Sequence, residues 1–141
     1  MHKLKTLCQP SLNAGLLFLR LSSAFMLFYV HGWPKLINHT EELARIEDPF
    51  GLGAQFSLLA AIFAEVICPP LIAIGFMTRL ATLPVIAVLA VALFFVHSHW
   101  SIAEGQFGWL LMITFMTILI CGPGEWSIDA KNHPRKAGGP K

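Results

Sequence analysis

Long apolar runs separated by short polar connections dominate this chain. A helix needs about 20 largely apolar residues to cross the hydrocarbon core of a membrane, and four runs reach or approach that length. They cover approximately residues 12–30, 55–77, 80–96 and 107–121. The pattern predicts an all-α fold, an integral membrane four-helix bundle that occupies residues 1–130.

The connections between these runs are polar and rich in helix breakers. Residues 31–53 contain Pro34, Pro49 and several acidic side chains, a composition typical of a solvated loop. Residues 77–79 leave room only for a tight turn, and residues 97–106 form a second short polar loop. The basic, glycine-rich segment 131–141 is predicted to be a disordered cytoplasmic tail.

Composition favours a lipid environment. Hydrophobic residues make up 55% of the chain and charged residues 13%, more apolar surface than a soluble fold of this size can bury. The net charge of +2 is small and dispersed, which argues against a nucleic-acid partner. Cys8, Cys68 and Cys121 are too far apart in sequence to suggest a thiol redox motif.

Lys and Arg are unevenly distributed among the connections. Cytoplasmic segments of membrane proteins are enriched in these residues. The N-terminal segment, the tight turn and the tail carry Lys3, Lys5, Arg79, Lys131, Arg135, Lys136 and Lys141. The other two connections carry only Lys35 and Arg45. This asymmetry predicts that both termini are cytoplasmic.

Two charged residues interrupt the apolar runs. If His31 marks the outer boundary, the helical rise of about 1.5 Å per residue brings Arg20 and Glu65 to the same depth. Because an unpaired charge inside a membrane is costly, the sequence predicts a buried Arg20–Glu65 ion pair. This pair could serve function directly or only set the helix register. Pro69-Pro70 predicts a kink beside Glu65.

The outer ends of the runs collect the other polar candidates. This predicted ligand site consists of His31, Lys35, His97, His99 and Glu104. Such groups could bind the head of a quinone, a haem iron or a metal ion. His31, His97 and His99 are weak metal candidates, because their spacing matches no familiar ligand pattern. Interfacial His and Trp are also typical of a membrane boundary that has no binding function.

Several short motifs, in order along residues 15–130, resemble those of the DoxX family of small four-helix bacterial membrane proteins. They are Leu19-Arg20-Leu21, His31-Gly32-x-x-Lys35-Leu36, Glu65, Gly75-x-x-Thr78-Arg79-Leu80-Ala81, Val96-His97 and Gly122-Pro123-Gly124-x-x-Ser127-x-Asp129. The resemblance implies a multi-pass protein of the bacterial inner membrane.

The resemblance also implies a function. We expect a membrane subunit of a quinone-linked redox system, or of an oxidative-stress or metal-handling system, with a soluble or membrane partner protein. A quinone is the expected cofactor, ahead of haem or a metal ion. A non-catalytic anchor or assembly partner and a small-solute or metal-ion conduit stay open as alternatives, as does a homo-oligomer.

Overall fold

A computed structural model describes residues 12–132 as a bundle of helices. The helices are α1 (Leu12–Ile37), α2 (His39–Arg45), α3 (Ala54–Ile74), α4 (Thr78–Val96), α5 (Gln106–Cys121) and α6 (Ile128–Asn132). No strand occurs within residues 12–132, so the all-α prediction is confirmed. Residues 131 and 132 end α6, and the rest of the predicted tail lies outside the described residues, as do Lys3, Lys5 and Cys8.

Three helices are long and apolar enough to cross a membrane. They are α1 with 26 residues, α3 with 21 and α4 with 19. The apolar α5 has 16 residues, fewer than the usual span of about 20. The helices therefore support a multi-pass membrane protein, while the fourth crossing stays a prediction.

The distribution of polarity supports the membrane assignment. Large apolar side chains cover the outside of the bundle, among them Phe18, which is 73% exposed, and Ile113, which is 60% exposed. Arg20, Thr78 and Thr82 are instead fully buried. A surface this apolar is unstable in water and stable in lipid.

The helices pack around one core and define two ends of the bundle. The core side chains Leu27, Ile72, Val85 and Phe115 come from α1, α3, α4 and α5 respectively. We call the end that carries α2 and residues 46–53 and 97–105 the loop end. The other, which carries the turn at 75–77 and residues 122–132, is the terminal end. Antiparallel α1 and α3 pack along their whole length, as do α4 and α5.

Each of the three long helices contains one π turn. The turns are Phe28–Gly32 in α1, Phe63–Ile67 in α3 and Ala92–Val96 in α4. In each, the N–H of the following residue donates to a carbonyl five residues back, as His97 does to Ala92 over 2.8 Å. Single π turns in α-helices often mark functional sites.

Prolines account for two of these π turns. Pro34 and Pro69 lack the N–H that would bond the carbonyl four residues earlier, and their rings crowd that carbonyl. The wider π turn before each proline makes room for the ring. Therefore α1 continues through Pro34 to Ile37, seven residues beyond its predicted end. The Glu65 carbonyl, which Pro69 cannot satisfy, lies directly against Gly32.

The terminal end is closed by the segment after α5. The helix ends at Cys121, and Gly122 follows with a φ of 79°. Asp129 then accepts hydrogen bonds from the backbone N–H groups of Met77 and Thr78, at 2.8 and 2.9 Å. Because these are orphan donors at the start of α4, Asp129 caps that helix from a distant part of the chain.

Candidate functional site

A cavity of about 770 Å³ occupies the loop end of the bundle. Five helices, α1 to α5, contribute walls, and residues of the segment 46–53 also line it. Most of the lining is apolar, including Leu27, Ala61, Val88 and Leu111. The polar lining includes His31, Lys35, Glu65, His97 and Glu104. The size and the mixture of many apolar with few polar walls are typical of a small-molecule site.

An ion pair lies on the cavity wall where α1 meets α3. Lys35 Nζ is 2.7 Å from Glu65 Oε2, and the two side chains are 12% and 10% exposed. Lys35 Nζ also donates to the His31 carbonyl oxygen over 3.1 Å. The ammonium therefore links the π turns of α1 and α3, which contain His31 and Glu65 respectively.

The predicted Arg20–Glu65 pair is not formed. Arg20 is fully buried at the terminal end, where its Nη2 donates to the Trp126 carbonyl oxygen over 2.7 Å. A rise of about 18 Å along α1 separates Arg20 from Gly32, which lies against Glu65. The depth argument failed because α1 continues past His31 to Ile37, so His31 does not mark the boundary.

His31 presents an unused polar atom to this region. Its Nε2 is buried and has no hydrogen-bond partner among residues 12–132. The ring stacks on Phe107 of α5, with centroids 5.7 Å apart. Buried polar atoms in folded proteins are almost always hydrogen-bonded. An imidazole nitrogen left open beside a cavity can bind a ligand that offers a complementary group.

The rim of the cavity holds two other predicted residues. His97 stacks on Trp100 with ring centroids 3.8 Å apart. Glu104 Oε2 accepts from the Ser101 backbone N–H over 2.7 Å and from the Ser101 hydroxyl over 2.8 Å. These bonds hold the pKa of Glu104 below its ordinary value, the backbone N–H contributing most. Glu104 thus orders the loop between α4 and α5.

His99 is the predicted ligand residue that the cavity lining does not include. It is exposed and approaches Trp100 edge-on, with ring centroids 6.5 Å apart. Within residues 12–132, no three His, Cys, Asp or Glu side chains are grouped closely enough to hold a metal ion. The weak metal set His31, His97 and His99 therefore has no structural support.

Asp48 is a structural residue of the site that sequence reasoning missed. Its carboxylate accepts from the backbone N–H groups of Gly53 over 2.6 Å and Leu52 over 3.0 Å, and from the Ser57 hydroxyl over 3.2 Å. The Gly53 bond is the main reason that the pKa of Asp48 lies below its ordinary value. The sequence did contain a signal for this role. An Asp that is followed by a Pro and by glycines is typical of a turn in which the Asp side chain accepts hydrogen bonds from the backbone.

A comparison with protein-family models now bears on this geometry. The DoxX family model matches residues 15–98. The chain belongs to the DoxX family. Searches of curated proteins and of solved structures returned no match. The DoxX match includes His31, Lys35, Glu65 and His97, and it ends before the loop that carries Glu104. Most of the residues that line the cavity thus lie within the segment that the DoxX model matches.

Proposed function

We propose that this DoxX-family protein is the quinone-binding membrane subunit of a redox system. The observation that carries the proposal is the buried Nε2 of His31, which has no hydrogen-bond partner among residues 12–132 and lies next to the Lys35–Glu65 pair at one wall of a largely apolar cavity. Electrons would be exchanged with a soluble or membrane redox partner.

The polar and apolar groups that line the cavity fit the head group of a quinone. A quinone presents a flat apolar ring with carbonyl acceptors on opposite sides. Lys35 offers charged donors, and the imidazole groups of His31 and His97 can each donate one N–H. The ring would contact apolar side chains such as Val88 and Leu111, which line the same cavity.

Titratable groups on this wall suit redox chemistry that is coupled to protons. A bound quinone would supply the exchange of two electrons and two protons. Glu65 and His31 bring a carboxyl and an imidazole group to this wall, and Lys35 bridges them through its contacts with the Glu65 carboxylate and the His31 carbonyl. Glu104 and His97 also line the cavity.

We further propose that α5 crosses the membrane as a fourth span and that both termini are cytoplasmic, in the inner membrane of a bacterium. The Lys and Arg asymmetry supports this orientation. The cavity would then open at the outer side of the membrane.

A binding site accounts for the cavity better than a conduit. The side chains between the cavity and the terminal end include Phe115, Ile118 and Ile72, all fully buried in the core. A continuous path for ions through these residues would require the core to open. A plain anchor, in turn, has no use for a histidine nitrogen that makes no hydrogen bond within residues 12–132 and lies beside a cavity.

Quinone extraction tests this proposal. The full-length protein, purified in mild detergent from membranes that contain quinone, is expected to retain it stoichiometrically. His31→Ala should weaken binding about tenfold, the value of one hydrogen bond. His99→Ala is the matched control, because it removes a histidine that lies outside the cavity lining.

Two results would contradict the proposal. One is wild-type protein that neither retains quinone nor binds added ubiquinone or menaquinone in nanodiscs. The other is His31→Ala protein that is folded, judged by an unchanged melting temperature, and binds quinone as the wild type does.

A further inference from the structure

The seams between neighbouring helices differ in how tightly they close around the cavity. Between α1 and α3, Gly32 lies against the Glu65 carbonyl, leaving no space for a Cβ. Between α4 and α5, a Cβ on Gly108 would lie 2.9 Å from Leu93 Cδ2. Between α1 and α5, the rings of His31 and Phe107 stack. Each of these three seams has a close contact at the level of the cavity.

The seam between α3 and α4 is different. Most packing contacts of α3 with α4 lie in its segments Cys68–Ile74 and Phe63–Ile67, towards the terminal end. The first segment of α3, Ala54–Ile62, packs less closely on α4. Residues of both helices line the cavity at this level, so this part of the seam borders the cavity.

Three residues of this seam line the cavity and are also exposed. They are Phe56 and Ala60 on α3 and Ala87 on α4. The two alanines are small, so little side-chain volume lies between the helices at this point. We call this part of the seam the α3–α4 gap and define it by Phe56, Ala60 and Ala87.

The gap lies at a depth that corresponds to the hydrocarbon core. Ala60 lies about 9 Å from the first residue of α3, and Ala87 lies about 14 Å from the last residue of α4. Both depths are inside a hydrocarbon core of about 30 Å. At the loop end, Phe50 packs on Phe95 with ring centroids 5.0 Å apart.

We propose that the cavity binds a two-part amphiphile whose apolar chain runs through the α3–α4 gap into the bilayer. The head lies against the Lys35–Glu65 wall, and the chain passes Ala60 and Ala87 into the acyl region. A ligand with a long isoprenoid chain is thus taken up laterally from the membrane. This inference rests on the proposed quinone site and specifies the substrate class as quinones with a chain.

Two quinones that share one head group but differ in chain length separate the contribution of the chain to binding from that of the head group. Full-length protein in nanodiscs is titrated with a ubiquinone that carries a decyl chain, and with the same head that carries a methyl group. Ala60→Trp is expected to weaken decyl-quinone binding about tenfold, because the indole fills the gap, and to weaken methyl-quinone binding much less. Leu59→Trp is the control, since Leu59 is exposed on α3 but does not line the cavity.

A second measurement uses the wild-type protein and needs no variant to fold. A decyl quinone with a diazirine at the end of its chain is photolysed in nanodiscs, and labelled peptides are identified by mass spectrometry. Labelling next to Ala60 or Ala87 supports the proposal, and labelling confined to residues 42–52 overturns it.

The outcomes also separate this inference from the proposed function. Equal decyl-quinone binding by Ala60→Trp and wild type overturns the lateral path while the quinone site stands. Failure of both probes to bind the wild type overturns the quinone site itself.

Discussion

Lys35 Nζ and Glu65 Oε2 lie 2.7 Å apart at the wall of the cavity, where the π turns of α1 and α3 meet. The pair joins two helices that also touch through Gly32 and the Glu65 carbonyl. One residue, Glu65, therefore contributes both its side chain and its backbone to the same helix contact.

Breaking this ion pair from one side is expected to destabilise the bundle. Lys35→Ala leaves a largely buried carboxylate without its partner, which costs about 3 kcal/mol. Lys35→Met combined with Glu65→Leu removes both charges and should recover most of that loss. Unfolding in mixed SDS micelles measures both. Equal losses in Lys35→Ala and the double variant would show that charge pairing is not the cause.

Close packing of α1 on α3 predicts that Gly32 tolerates no side chain. In Gly32→Ala, the new Cβ overlaps the Glu65 carbonyl, so the helices must separate, at a cost of about 1–3 kcal/mol. Gly15→Ala, on the same helix with nothing within 4 Å of its Cβ, is the control and should not lower the melting temperature. Similar melting temperatures for both variants would contradict the packing.

Protonation of Asp48 is expected to loosen residues 46–53 above the cavity. The folded-state pKa is lower than that of the unfolded chain, mainly because of the Gly53 N–H. Its stabilising contribution is therefore complete above the ordinary Asp pKa of about 4 and is lost as pH falls through the lower folded value. Hydrogen exchange of the Leu52 and Gly53 amides, corrected for intrinsic rates, measures this loss.

Two variants make the Asp48 test specific. Asp48→Asn should show weaker protection of the same amides at neutral pH and less change on acidification. Glu47→Gln alters a neighbouring exposed acid and should behave as the wild type does. Protection that does not change with pH in the wild type would refute the role of Asp48.

Arg20 is expected to hold the segment after α5 on the terminal end. Arg20→Met removes the donor to the Trp126 carbonyl and the charge that faces Asp129. Chymotrypsin should then cleave after Trp126 faster than in the wild type. Lys131→Met, which removes an exposed positive charge at the same end, should leave cleavage unchanged. Equal cleavage of wild type and Arg20→Met would contradict this contact.

The proposed topology has a direct test. A reporter that is active only in the cytoplasm should be active when fused after Lys141 and inactive when fused after Gly105. That result requires α5 to cross the membrane and the C-terminus to be cytoplasmic. Equal activity at both positions would exclude the crossing, and the reverse pattern would invert the orientation of the cavity.

Much of the bundle could be predicted from local pattern. Apolar runs predicted the bounds of α3, α4 and α5 to within a few residues. This works because a helix in lipid makes its backbone hydrogen bonds internally and exposes apolar side chains. The same reasoning placed the end of α1 too early, at Val30. Pro34 looked like a stop, but the π turn Phe28–Gly32 lets the helix continue to Ile37.

The sequence by itself determined that this is a helical membrane protein with buried Arg20 and Glu65 and a polar loop end, because hydrophobicity and charge are properties of each residue. Only the tertiary structure decided the partners. Glu65 pairs with Lys35, Arg20 bonds the Trp126 carbonyl, and Asp129 caps α4. Partner choice depends on the relative depth of neighbouring helices. That relative depth depends on backbone features such as a π turn before a proline. The residue type at a single position does not reveal such a feature.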